Sequence, residues 1–252
     1  MQVVGYETGA NDGEPALLVA DSGAVDREPL VGGRSLAYTL GDRRCAGTTA
    51  DGEHRPCHAK RGPYCETHTR TWVCARCTGT CLKPEMDCHE EHAVYLAAFA
   101  PDTFKVGVTK SWRLDVRLRE QGADRGAHLY TVADGRIARR IEAGIAEGIP
   151  DRVGVPRKVR GFHRSVDDDA WRELLSGFDV IETASFDYGL SLAERPIPET
   201  LASGTVRGTK GRVLVVDRGG TTYAVDMRDL VGHEVSEGAT ERDLQSTLGA
   251  FG

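Results

Sequence analysis

All seven cysteines of this 252-residue chain fall between Cys45 and Cys88, and none lies in the remaining four fifths. The stretch that carries them is poor in aliphatic residues: between Ala46 and Glu91 there is little beyond Val73, Leu82 and Met86. Such a segment cannot close a core by burial, so metal must hold it. Thiols in a reducing compartment serve as metal ligands or catalysts far more often than as disulfides, and an odd count points the same way. With one histidine the donor set reads Cys45, Cys57, Cys65, His68, Cys74, Cys77, Cys81 and Cys88. Eight soft or borderline donors suffice for two tetrahedral zinc ions. The spacers Cys65-x2-His68, Cys74-x2-Cys77 and Cys77-x3-Cys81 let one tight turn aim two side chains at one ion. Chain order gives the first four donors to one ion and the last four to the other. A crossed arrangement, with Cys65, His68, Cys74 and Cys77 on one ion and Cys45, Cys57, Cys81 and Cys88 on the other, is also open. Four donors per ion leave no free position, which marks the zinc as structural. His54, His58, His89 and His92 are read as solvent-facing histidines outside the set.

The longest apolar run, VYLAAFA at 94–100, is far shorter than the ~20 residues that span a bilayer. Residues 1–30 lack the basic-then-apolar layout of a signal peptide. The expectation is a cytoplasmic protein without a membrane partner. Arginine outnumbers lysine 26 to 6, a bias that resembles proteins of GC-rich, salt-loving archaea. The net charge of −6 hides a split: residues 105–164 sum to +7 (14 basic, 7 acidic), whereas 165–252 sum to −8 (8 basic, 16 acidic). A local positive field attracts polyanions whatever the overall sign, so nucleic acid, DNA or RNA, is the expected partner of 105–164.

Beyond the cysteines, HAVYLAAFAPDTFKVGVTK (92–110) holds two β-rich runs split by Ala-Pro-Asp-Thr and reads as a hairpin. In SWRLDVRLREQGA (111–123), Trp112, Leu114, Val116 and Leu118 recur at helical spacing, and Arg113, Arg117 and Gln121 share one side of the helix. HLYTVA (128–133) reads as a strand. It leads to a helix over 134–150 whose Ile137, Ile141 and Ile145 face the core, with Glu142 between Ala138 and Ala146. That carboxylate has room for a metal ion beside it, or pairs with Arg139 or Arg140. RVGVPRKVRGFHR (152–164) reads as a cationic loop. GTVRGTKGRVLVVDRGGTTYAVDMRDLVGHEV (204–235) alternates and turns at Gly219-Gly220, as a hairpin does.

The order AVY (93–95), KVG (105–107), an arginine-bearing helix and a glutamate-bearing helix resembles the GIY-YIG nuclease domain. The cysteine-rich segment followed by VYLAxF, KVGVT and EQGA also resembles the family known as domain of unknown function 2797, over nearly the whole chain. The nuclease resemblance implies that Tyr95 matches the tyrosine of the first element, Gly107 the glycine of the second, Arg117 the helix arginine and Glu142 the metal-binding glutamate. Lys105 stands where the second tyrosine is expected, and Gln121 where a histidine often follows the arginine. The chemistry implied is phosphodiester hydrolysis, with Mg or Mn held at Glu142 and an arginine fork on the phosphate. Replacing the second tyrosine by lysine weakens the expectation of turnover.

Together these features give an α+β chain: a GIY-YIG-like hairpin-and-helix domain at 92–195, a zinc-binding segment at 45–91, and β-rich ends at 1–44 and 196–252 that pack together as a small barrel or sandwich. Its expected function is that of a zinc-containing nucleic-acid-binding protein, gripping phosphates through Lys105, Lys110, Arg113, Arg117, Arg157, Lys158, Arg160, His163 and Arg164. The alternatives are an active metal-dependent endonuclease using Tyr95, Lys105, Arg117, Gln121 and Glu142, and a zinc-based protein-interaction or redox-sensing module.

Overall fold

The computed structural model describes residues 1–11, 13–69, 73–238 and 244. In chain order the first strands are β1 (Gln2–Glu7), β2 (Ala16–Asp21), β3 (Ala24–Pro29), β4 (Ser35–Arg43), β5 (Thr48–Ala50) and β6 (Glu53–Arg55). The middle of the chain gives β7 (His92–Phe99), β8 (Thr103–Lys110), α1 (Leu114–Glu120), β9 (Arg125–Val132), α2 (Gly135–Ile145), α3 (Val155–Val159), α4 (Asp168–Leu175) and β10 (Glu182–Ser185). Then follow β11 (Ile197–Pro198), β12 (Ala202–Lys210), β13 (Val213–Arg218), β14 (Thr221–Asp226), α5 (Met227–Leu230) and β15 (His233–Glu237). The chain is α+β and divides into two compact units: Met1–Arg70 with Tyr188–Gly252, and Thr71–Asp187 between them in sequence. Among the described residues no helix is long and apolar enough to cross a membrane.

The first unit is one sheet in the order β11-β14-β13-β12-β4-β15-β1-β2-β3-β6-β5, with β11 and β5 at its open ends. Of the small barrel or sandwich expected from the sequence, no closed barrel forms among the described residues; short edge strands end the hydrogen-bond ladder on both sides. Strands from both ends of the chain share one core of Val3, Leu17, Leu30, Leu36, Leu214, Val225, Leu230 and neighbours. The β13–β14 hairpin turns on Gly219 and Gly220, both at positive φ, which a two-residue turn matching the strand twist requires.

The second unit carries the four-stranded antiparallel sheet β10-β9-β7-β8. Because side chains alternate along a strand, one face presents Val94, Leu96, Ala98, Val106 and Leu129, which form a core with Ala138 and Trp171. The opposite face presents Tyr95, Lys105 and Gly107; Tyr95 stands opposite Gly107, and Lys105 opposite Ala97. Helix α1 covers this second face, since a Cβ on Gly126 would lie 2.4 Å from Leu118 Cδ1. Three local details differ from the sequence expectation. Residues 152–164 are not all loop: α3 forms there because Pro156 sits in its first turn, where a preset φ favours the helix and its missing N–H costs nothing. Helix α2 buries Gly135, Ala138 and Glu142, whereas Ile137 is exposed. Trp112 is 71% exposed, because the chain crosses it in a 3₁₀ turn (Ser111–Arg113) before α1 begins.

Candidate functional site

Cys45, Cys57, Cys65 and His68, all in the first unit, bring their donor atoms within 4.8 Å of one another. His68 Nδ1 lies 3.3 Å from Cys45 Sγ and 3.2 Å from Cys65 Sγ, and the Cys57 and Cys65 sulfurs are 4.0 Å apart. A tetrahedron with Zn–S bonds of about 2.3 Å and a Zn–N bond of about 2.0 Å has edges of roughly 3.5–3.8 Å, a range that these three separations bracket. The set can hold a metal ion such as zinc. It is also the grouping that chain order gives, in preference to the crossed one.

The backbone is arranged around sulfur charge. Cys45 is fully buried, and its Sγ accepts from the amides of Gly47 (3.4 Å) and Cys65 (3.3 Å). Gly47 has φ +67, and a Cβ there would sit 2.1 Å from the Arg55 carbonyl, so only glycine permits this turn. At Cys65 burial pushes the thiol up, but hydrogen bonds from the His68 amide and ring, Cys45 and the Thr67 amide outweigh it and hold the group at about 6, a thiolate at neutral pH. The Cys45 strand end is tied down from both chain ends: Gln2 Nε2 donates to the Cys45 carbonyl (3.4 Å) and to that of Gly232 (2.9 Å), while Arg44 N donates to Gly232 (2.9 Å). His54, set aside as solvent-facing, is half-buried and bridges Nε2 to the Ala46 carbonyl at 2.8 Å. Sequence reasoning missed Gln2 and Gly47; the Cys-x-Gly pattern at 45–47 was the available signal for the latter.

Cys74, Cys77, Cys81 and Cys88 lie in the second unit. Among the described residues they do not gather as the first quartet does. Cys77 Sγ accepts from the Gly79 amide at 3.4 Å, the Cys77 amide bonds to the Cys74 carbonyl at 3.2 Å, and the Lys83 ammonium stands beside the Cys74 thiol.

Four of the five residues singled out for phosphate chemistry meet above the second face of the smaller sheet. Tyr95 is buried, and its hydroxyl accepts from Gln121 Nε2 at 2.7 Å; Gln121 Oε1 accepts from Lys105 Nζ at 3.1 Å. Gly107 makes room for this: a Cβ would lie 2.5 Å from the Tyr95 hydroxyl. Burial pushes the Tyr95 hydroxyl above the ordinary phenol range, against the opposing pull of the Arg117 guanidinium. Desolvation, joined by the positive charge of Arg117, brings Lys105 down to about 8, with Glu142 and Asp151 opposing. Glu142 stands on the buried side of α2, and its carboxylate is closed by Arg139 at 2.6 Å. It lines an open cavity of about 500 Å³ with Arg76, Arg139, Asp151, Arg152 and Cys77 among its walls.

The Lys105 environment sets a measurable sign. Its folded value lies below its unfolded value, so between about pH 8 and 10.5 the unfolded chain binds more protons and the folded state gains stability as pH rises. Unfolding free energies of wild type and Lys105→Met, from denaturant titrations across that window, are expected to diverge in the wild type's favour by on the order of 3 kcal/mol. A difference independent of pH would mean that Lys105 titrates as an exposed lysine.

Much of the remaining basic set is engaged. Lys110 pairs with Glu90 (2.6 Å), Arg113 and Arg117 share Glu120 (2.7 and 3.1 Å), and Arg157 donates to Thr103 Oγ1 (3.1 Å). Lys158 Nζ donates to the Gln121 carbonyl (2.7 Å) and lies 4.1 Å from the Phe99 ring centre. Arg160 and Arg164 are exposed, and buried His163 Nδ1 has no partner among the described residues.

A family model described as "Protein of unknown function (DUF2797)" matches residues 33–187, more than half of the chain. No curated protein and no solved structure matches it.

Proposed function

The chain belongs to the DUF2797 family, and from that premise we propose that it is a zinc-containing nucleic-acid-binding protein whose second unit grips the phosphates of a strand beside Arg117 and Lys105. The observation that carries the reading is the connected set Tyr95–Gln121–Lys105, with the Arg117 guanidinium beside it and the Glu142 charge felt at both Tyr95 and Lys105. These are the positions that the GIY-YIG resemblance picks out, and their convergence supports a phosphate site of that type. Two structural zinc ions belong to the proposal, one on Cys45, Cys57, Cys65 and His68, the second on Cys74, Cys77, Cys81 and Cys88. The knuckle amide at Cys77 and the cationic neighbour of Cys74 suit thiolate ligands there.

Binding without turnover is the favoured form. A buried tyrosine with a raised pKa is a poor base near neutrality, and a divalent ion reaching Glu142 must first displace Arg139. One observation favours the alternative, a Mg- or Mn-dependent endonuclease: at about 8, Lys105 can give up a proton close to physiological pH. In that case Glu142 would hold the ion, which would stabilise charge on the leaving oxygen.

Titrating the zinc-loaded chain with labelled single- and double-stranded DNA and RNA at low salt tests the reading. Arg117→Ala is expected to weaken binding about tenfold and to lower the salt slope by about one. Adding Mg²⁺ or Mn²⁺ to the same mixtures separates binder from nuclease, since cleavage abolished by Glu142→Ala establishes the enzyme. Absence of binding to any nucleic acid at low salt overturns the reading and leaves the interaction or redox module.

A further inference from the structure

We propose that Trp112 is a stacking platform for an unpaired nucleotide base, an inference that rests on the nucleic-acid reading above and names the form of strand it takes. Tryptophan has more apolar surface to gain from burial than any other side chain, yet 71% of Trp112 is left in water at the junction of β8 and α1. The ring is not loose. Its Nε1–H donates to Glu90 Oε2 at 3.3 Å, and the other oxygen of the same carboxylate takes Lys110 at 2.6 Å, so the indole is pinned by its edge. Lys110 Nζ and the Arg113 guanidinium each stand 5.9 Å from the ring centre, at the ~6 Å outer limit of a cation–π contact.

An edge-pinned aromatic ring with cations at cation–π distance is the pairing that single-strand binders use: the ring takes the π-face of a base and the cations move onto its phosphates. Both cations now face carboxylates, Lys110 on Glu90 and Arg113 on Glu120; the two cations are 42% and 38% exposed, so a phosphate can reach either from solvent without desolvating a buried charge. Arg117, the proposed phosphate grip, stands next to Arg113 on the same Glu120 carboxylate. A strand leaving the Tyr95–Lys105 site along α1 thus meets Trp112. Bases within a duplex are already stacked and offer no free face, so the ligand is a single strand, a loop or a frayed end.

The test uses the full zinc-loaded chain and short oligothymidylate and oligouridylate strands, with a duplex of mixed sequence for comparison. Trp112→Ala is expected to weaken single-strand binding about tenfold and leave duplex binding within twofold; Trp112→Phe, which keeps a π-face, falls between. Its exposure means that the variant folds. If wild type binds single strands and Trp112→Ala binds them equally well, the stacking site is wrong while the phosphate grip stands. Equal losses on strand and duplex overturn it too, since they report charge or fold and not stacking. If wild type binds neither, the nucleic-acid reading fails and the base site with it.

Discussion

Cys45→Ser is expected to lower the melting temperature of the unit built from β1–β6 and β11–β15 by roughly 8–16 °C, and a strong chelator is expected to do the same to wild type. Structural zinc contributes about 10–16 kcal/mol of apparent binding energy in zinc-finger peptides near neutral pH, and binding energy of this kind is folding energy. Here the surrounding sheet has a core of its own, so only part of that energy is at stake, about 4 kcal/mol for the estimate above. Cys45 is the ligand to remove. It is fully buried, it accepts two amide hydrogen bonds, and serine's weaker affinity for zinc would leave the Gly47 and Cys65 amides facing an ill-fitting hydroxyl. Metal analysis of the same samples should find two zinc ions per wild-type chain and one in Cys45→Ser. An unchanged melting curve would remove the metal from the account of stability. One zinc in wild type would remove the second site alone.

Gly161→Ala is expected to cost the second unit about 3 kcal/mol or more, at the upper end of what overpacking does. The added Cβ would lie 1.6 Å from the Ala100 carbonyl oxygen and 2.4 Å from its carbon. Neither partner can rotate away, because both are backbone or fixed to it. Relief requires α3 to lift from the β7–β8 turn by more than an ångström, taking Lys158 off the Gln121 carbonyl and the Phe99 ring. The loss should appear as a lower denaturant midpoint at constant slope. Gly144→Ala in α2 is the control: nothing lies within 4 Å of its Cβ, so it should be neutral or stabilising by up to about 1 kcal/mol. Equal effects in the two variants would mean that the Gly161 contact relaxes freely.

The parts of this molecule legible in the sequence are those whose signal is local. Ligand spacing marked the first quartet, since two donors on one tight turn are a constraint within a few residues. Alternation and Gly219-Gly220 marked the β13–β14 hairpin for the same reason. Tyr95, Lys105, Arg117 and Gln121 were singled out by the resemblance to the GIY-YIG nuclease domain, but the hydrogen bonds that join three of them depend on how α1 lies over the sheet. Strand order was invisible: nothing local tells β4 that its neighbours are β12 and β15. Helical periodicity misled at Trp112 and at Ile137. At Trp112 a 3₁₀ turn, with three residues per turn, rotates the ring outward from the stripe that a 3.6-residue period assigns to it. In α2, Ile141 and Ile145 pack on the core as the period assigns, but Ile137 is exposed, and Gly135 and Ala138 are buried together with Glu142.

The pairing of β4 with β12 and β15 has a consequence for biosynthesis. The strands of the Thr71–Asp187 unit are contiguous in the chain, so that unit is complete at the ribosome before β12 has been translated. The sheet that carries Cys45 must wait for its remaining strands. Until they emerge, Cys45, Cys57 and Cys65 belong to a nascent half-sheet with open edges, and a metal ion held by them with His68 would meet its finished surroundings only after the last strands are made.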